Sequence, residues 1–227
     1  MPRTPVFIIC SPRPQVGKTL LARLLCEFQL AQHGAVAAFD LNLNEPSLLD
    51  FLPNLTQSAD IGDTPGQIAL MDRIIANDGV PKVIDIGYPA FESFFRMTEE
   101  IGFMKEAMRR GIKPIILFLA DRDRASARAF ARLRRDFPQT ATVAVNNQHV
   151  LHGEALDAFA RERSLTLRLL PGFLRSIIDR PGFSFGNYLR GPNDPSAELH
   201  QWIRGNFLGF RELELNLILH RLQSDLR

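Results

Sequence analysis

Val6-Phe7-Ile8-Ile9-Cys10, followed by Ser11-Pro12-Arg13-Pro14-Gln15-Val16-Gly17-Lys18-Thr19 and then by Leu20-Leu21-Ala22-Arg23-Leu24-Leu25, is the stretch on which the architecture turns. An apolar run without polar alternation suits a strand buried on both faces. The residues from Thr19 to His33 carry a helical pattern. Strand, polar loop and helix therefore succeed one another. The alternation continues outward. Further strand-like runs are Ala35–Phe39, Lys82–Ile86, Pro114–Leu119, Thr142–Val145 and Leu165–Leu170. Helical stretches are expected at Pro65–Ala76, Phe91–Arg110, Arg124–Phe137 and Glu154–Arg163. The pattern predicts an α/β fold with a mostly parallel central sheet flanked by helices. Pro171–Pro195 is rich in glycine and proline and reads mainly as loop, with Phe173–Ile178 long enough for a turn or two of helix. A helical pattern then runs to the C-terminus. The expected division is a main domain over residues 1–194 and a helical extension over residues 195–227, packed on it or docking a partner.

In parallel sheets, ligands meet the carboxyl ends of the strands, so the residues after each apolar run are the candidates for chemistry. The first such loop fits a phosphate chain. Phosphate is held by backbone N–H groups, a helix N-terminus and a cation. Gly17 lets the backbone approach, Lys18 reaches the β- and γ-phosphates, and Thr19 offers a hydroxyl to Mg²⁺. Gln15 and Val16 complete the candidate cradle. The full P-loop pattern has glycine where this chain has Pro12, and Pro12 and Pro14 each remove a backbone donor. The second apolar run leads into Asp40-Leu41-Asn42, and the third ends Val83-Ile84-Asp85. An apolar run closing on aspartate is a Walker B-like arrangement that places Asp85 near a magnesium ion.

Arg13 to Thr19 resembles the deviant Walker A loop of the ParA/MinD family, Lys-Gly-Gly-Val-Gly-Lys-Thr. Asp40-Leu41-Asn42 resembles that family's Asp-x-Asp, and Pro46–Leu49 its next segment. The resemblance spans roughly Val6 to Leu189. It implies a P-loop NTPase that binds ATP and Mg²⁺ through Lys18, Thr19, Asp40 and Asp85. It also implies a nucleotide-sandwich dimer in which Arg13, standing for the family's first lysine, reaches the partner's phosphates. Arginine keeps the charge and binds phosphate bidentately. The family's second aspartate, which positions the attacking water, is Asn42 here. An amide is no general base at neutral pH, so slow hydrolysis is expected. Asn146 and the Leu170-Pro171-Gly172 loop match the segments that lie beside adenine. The implied function is a dimerisation switch in partitioning or positioning. Two alternatives stand beside it. One is a nucleotide-binding scaffold without catalysis. The other is an ATP-dependent enzyme, because Ser11–Thr19 also resembles the loop of dethiobiotin synthetase. That family has a lysine after its second strand, whereas this chain has none between Lys18 and Lys82.

The rest of the chain bounds the partners. With 227 residues, 45% hydrophobic and 23% charged, it is expected to fold around a sizeable core. The formal net charge of +2 argues against a dedicated nucleic-acid coat. Only Lys18, Lys82, Lys105 and Lys113 among the 27 basic residues are lysines. Arg124, Arg128, Arg132 and Arg135 fall near i, i+4 spacing and form a candidate stripe for non-specific DNA, or a solvated face. Leu215, Leu219, Leu222 and Leu226 recur at heptad-like spacing. The tail lacks a lysine-rich polar face, so packing or protein docking is expected rather than membrane contact. Cys10 and Cys26 lie in apolar runs and are expected as reduced, buried thiols, and the chain reads as cytoplasmic.

Overall fold

The computed structural model describes residues 3–42, 48–152, 159 and 163–225. Seven strands among the described residues build one sheet: β1 (Thr4–Cys10), β2 (Ala37–Asp40), β3 (Thr56–Ser58), β4 (Lys82–Asp85), β5 (Ile112–Leu119), β6 (Ala141–Asn147) and β7 (Ser164–Leu167). Their order is β3-β2-β4-β1-β5-β6-β7, and neighbouring strands pair in parallel. The described helices are α1 (Lys18–His33), α2 (Leu48–Phe51), α3 (Thr64–Ile74), α4 (Phe91–Glu100), α5 (Phe103–Arg109), α6 (Arg124–Asp136), α7 (Gln148–Leu151), α8 (Gly172–Ile178), α9 (Phe185–Arg190) and α10 (Glu198–Asp225). This is an α/β fold with an all-parallel central sheet flanked by helices and a C-terminal helix.

Alternation along β1 sorts the core into two layers. Phe7 and Ile9 point to one face, where Leu21, Leu25 and Phe28 of α1 meet α8, α9 and α10. Val6, Ile8 and Cys10 point to the other, where α3 to α6 supply Ile74, Phe94, Phe103 and Phe130. β5 repeats the division, with Ile115 and Leu117 on the first face and Ile116 and Phe118 on the second. Strands covered on both faces need no polar alternation, which is why they read as continuous apolar runs. β1 lies between β4 and β5, with β2, β3 and β4 on one side of it and β5, β6 and β7 on the other. That switch in strand order opens a crevice beyond the carboxyl end of β1.

Several expectations need correction. Phe91–Arg110 is not one helix. It divides into α4 and α5 at Gly102, whose φ of 65° lies in the left-handed region that ends a helical run. β3 is an additional edge strand of only Thr-Gln-Ser, held to β2 by main-chain pairing, so it carries no apolar signature. Within Pro171–Pro195 lie two short helices rather than mostly loop. α8 covers the Phe173–Ile178 segment, and α9 is capped by Ser184, whose hydroxyl accepts the Asn187 N–H at 3.1 Å. β7 stops at Leu167, earlier than the apolar run, because the main-chain N–H and carbonyl of Arg168 bond to Asn206 and Trp202 of α10 instead. The helix expected at Glu154–Arg163 falls largely outside the described residues, as do residues 46 and 47 of the Pro46–Leu49 segment.

α10 extends for 28 residues, about 42 Å at 1.5 Å per residue. Leu199, Trp202, Ile203, Phe210, Leu213 and Leu217 join the first core layer. Phe207 and Phe210 pack on Phe28 of α1, with ring centroids 5.6 and 5.5 Å away. Leu215, Ile218, Leu219 and Leu222 on the far side are exposed. Among the described residues no helix is long and apolar enough to cross a membrane.

Candidate functional site

The loop between β1 and α1 is bent by two left-handed residues, Gln15 at φ 56° and Gly17 at φ 93°. A non-glycine residue held there costs about 1–3 kcal/mol, a strain that persists where the surroundings over-determine the loop. The determinant is Asn147, at the end of β6. Its Nδ2 donates to the Val16 carbonyl at 2.9 Å, and a Cβ on Gly17 would lie 2.5 Å from the same nitrogen. Gly17 is therefore required by conformation and by contact. α1 begins at Lys18 with no side-chain cap and no acid in its first turn. Its first N–H groups and the positive end of its dipole are left for an anion.

Lys18 is only 8% exposed, and its Nζ donates to the Arg13 carbonyl at 2.8 Å. Thr19 Oγ1 donates to Asp85 Oδ2 at 2.7 Å. Asp40 and Asp85 are register partners on β2 and β4, so both carboxylates stand beside the start of α1. Asp40 accepts the N–H groups of Asn42 at 2.9 Å and Leu49 at 3.1 Å. Asp85 is buried, and its Oδ1 has no hydrogen-bond partner. Burial pushes the Asp85 carboxyl up to about 7, the Thr19 hydrogen bond opposes this, and the charge on Asp40 adds to it. An orphaned carboxylate oxygen beside a hydroxyl and a second carboxylate is an all-oxygen donor set that fits Mg²⁺.

This pKa carries a pH dependence. Asp85 is held above the ordinary carboxylate value, so its contribution to stability is complete below about pH 4 and is lost as pH rises through about 7. Relative to an Asp85→Asn variant, the metal-free wild type is expected to lose stability across that window, by up to about 1.4 kcal/mol per pH unit. Urea unfolding of both proteins at pH 5, 6, 7 and 8 measures it. Parallel profiles would contradict the buried-acid account.

Beyond the loop lies a cavity of about 690 Å³. Gln15, Gly17, Lys18 and Thr19 form one end, with Asn42 and Tyr88 beside them. Asn147, in contact with Gly17, also lines it, as do His149, Arg168, Leu170 and Arg175. Among its described lining residues, Lys18, Arg23, Arg168 and Arg175 face a single carboxylate, Asp179. Such a lining favours an anion. Asn42 reaches the cavity because Gly87 opposite it has no Cβ, and an added one would lie 3.0 Å from Asn42 Oδ1.

Other expected residues sit elsewhere. Asn146 is not among the described lining residues. It points to the opposite side of β6 from Asn147, and its Oδ1 is buried without a partner. Pro171 precedes α8 and lines a neighbouring hollow of about 510 Å³ with Gln148, Thr166 and Trp202. Arg13 is half exposed and turns to its own chain, 3.3 Å from Asp123 and 3.7 Å from Asp121. On α6, Arg132 pairs with Glu92 at 2.7 Å and Arg135 with Asp136 at 2.9 Å, so the stripe is partly neutralised. Burial raises both thiols, Cys10 and Cys26, far above their ordinary value. Arg23, Tyr88, His149, Arg168 and Arg175 escape a sequence reading. Of these, Tyr88 carried a usable signal, its place just after the Lys82–Ile86 run, whereas Arg168 was hidden inside the apolar run Leu165–Leu170.

The structure is similar to that of the signal recognition particle receptor FtsY from Elizabethkingia anophelis, with 14% identity and a TM-score of 0.41. The alignment covers 78% of this chain and 64% of that one, so it spans less than two thirds of the length of that structure. No protein-family model and no curated protein matches the chain.

Proposed function

We propose that this protein binds ATP with Mg²⁺ in the cleft and acts as a ParA/MinD-type, nucleotide-dependent dimerisation switch with slow hydrolysis. The observation that carries the nucleotide reading is the Thr19–Asp85 contact at an uncapped helix N-terminus, with an orphaned Asp85 oxygen beside a cationic cavity. In this reading Gln15, Val16, Gly17, Lys18 and Thr19 cradle the phosphates, while Thr19, Asp85 and Asp40 hold the cation. A bound Mg²⁺ supplies charge neutralisation between phosphate oxygens and the buried carboxylates. Asn147 pins the loop in its receptive shape. Asn42 orients a water but takes no proton from it, which also favours a second reading, a scaffold that binds and does not hydrolyse.

Arg13 supports the dimer in this proposal. Its pairs with Asp121 and Asp123 are partly exposed, and pairs of that kind are worth only about 0–1 kcal/mol. A phosphate from a second copy outcompetes them. Arg13→Ala is expected to weaken ATP-dependent dimerisation about tenfold while leaving nucleotide affinity nearly unchanged. The test is protein mass in solution without nucleotide, with ADP, and with ATP and Mg²⁺, with phosphate release followed in parallel. Dimer formation with ATP and Mg²⁺ alone supports the switch. Dimer with no release supports the scaffold. Absence of nucleotide binding overturns both.

A further inference from the structure

β7 ends at Leu167, and Arg168 is the first residue beyond it, at a strand end of the kind where ligands meet a parallel sheet. Arg168 is exposed and lines the cleft. α10 holds it from behind at three points. Its N–H donates to Asn206 Oδ1 at 3.1 Å. Its carbonyl accepts the Trp202 indole N–H at 2.8 Å. Asn206 is itself 1% exposed and tied down, with Nδ2 donating to the Trp202 carbonyl at 2.9 Å. The third point is Gly205. A Cβ there would lie 2.7 Å from each of Arg168 Cζ, Nε and Nη1. Equal distances to three atoms of one plane mean that the guanidinium lies face-on across the helix backbone at Gly205. The missing side chain makes the notch that receives it.

We infer that Arg168 is the platform on which the nucleobase stacks, and that α10 sets its position. The inference rests on the nucleotide reading proposed above. A guanidinium is planar, weakly hydrated and always charged, and it stacks on aromatic faces where an ammonium cannot. One face is backed by Gly205, and the side chain is nevertheless exposed on the cleft wall. The phosphates belong at Gly17–Thr19, so in this reading the base falls away from that loop, beside Leu170 and Arg168, which share the cleft lining. Stacking reads a face rather than an edge, and every base has a π-face, so the platform suits nucleotides as a class without selecting the base. Trp202, Gly205 and Asn206 act through Arg168 and are positioning residues.

The test is calorimetric titration of the full chain with magnesium ATP and with magnesium tripolyphosphate, which has no base. Arg168→Ala is expected to weaken ATP binding about 5–10-fold and to leave tripolyphosphate within about twofold. Gly205→Ala fills the notch without touching the cleft and acts in the same direction. Added to Arg168→Ala it does nothing more, because the two act through one contact. Arg168→Lys stays close to the alanine variant. Equal losses for ATP and tripolyphosphate would make Arg168 a phosphate contact and overturn the inference. So would rescue by lysine, additive losses in the double variant, or unchanged ATP affinity in Arg168→Ala. A wild-type protein that binds neither ligand overturns the nucleotide reading as well. Normal wild-type binding that ignores Arg168 overturns this inference alone.

Discussion

Lys18→Ala is expected to weaken binding of magnesium ATP at least about 100-fold, or about 2.8 kcal/mol, while the free protein unfolds within about 1 kcal/mol of wild type. The two halves follow from one environment. In the free protein the ammonium is nearly buried beside the uncapped start of α1, where the dipole opposes a cation. Its bond to the Arg13 carbonyl offsets part of that cost. Removing it therefore relieves an unfavourable placement as much as it loses a hydrogen bond. In the proposed complex the same ammonium would meet phosphate, and charge-assisted hydrogen bonds of this kind contribute about 1.5–3 kcal/mol each. Calorimetry gives the affinity and urea unfolding the stability. An alanine variant that binds as tightly as wild type would remove Lys18 from the phosphate site. A variant that binds weakly because it is unfolded would show in the second measurement.

Glu27→Ala is expected to produce the largest loss of stability, about 3–5 kcal/mol in urea unfolding. Glu27 sits in the middle of α1, where a carboxylate has no local reason to be buried. It accepts the Ser184 hydroxyl at 2.5 Å and the N–H groups of Phe185 and Gly186 at 3.0 and 2.7 Å. These are the first donors of α9. One turn earlier, Arg23 donates to the Ile178 carbonyl at 2.6 Å and stands 3.8 Å from both the Asp179 carboxylate and the Phe51 ring centroid. Burial lowers the Arg23 guanidinium to about 10, which leaves it charged at neutral pH. The pair ties α8 and α9 to α1, the helix that follows β1. Alanine at position 27 strands two buried main-chain donors, each costing about 1–3 kcal/mol. Glutamine keeps one acceptor but turns an amide donor toward the others, so about half the loss is expected. Hydrogen exchange in Phe185–Arg190 should rise first, because that segment has the least core of its own. A change below 1 kcal/mol in Glu27→Ala would show that α9 is held mainly by Phe185.

The legible part of the site follows strand by strand. Gly17, Lys18 and Thr19 are recognisable because strand, loop and helix are contiguous and each has a local signature. Asp40 and Asp85 are found by the rule that strand ends carry chemistry. Asn147 is missed by one residue, because apolar content locates β6 but not which of two asparagines faces the loop. Side-chain parity depends on where the strand registers against β5 and β7. The break at Gly102 is visible as a glycine, yet apolar spacing continues through it and masks the change of direction.

The α/β class, the parallel character of the sheet and the strand–loop–helix order around Gly17 were determined by the chain's own local pattern. Doubly buried strands and uncapped helix starts leave marks in neighbouring residues. Tertiary structure alone decided that Asp40 and Asp85 stand side by side, that Arg23 and Glu27 anchor a segment some 155 residues away, and that Gly205 makes room for Arg168. Those relations depend on strand order, register and the landing of α10 on α1 and β7. Each is a long-range pairing whose energy lies in contact between distant segments, so no short window of residues records it.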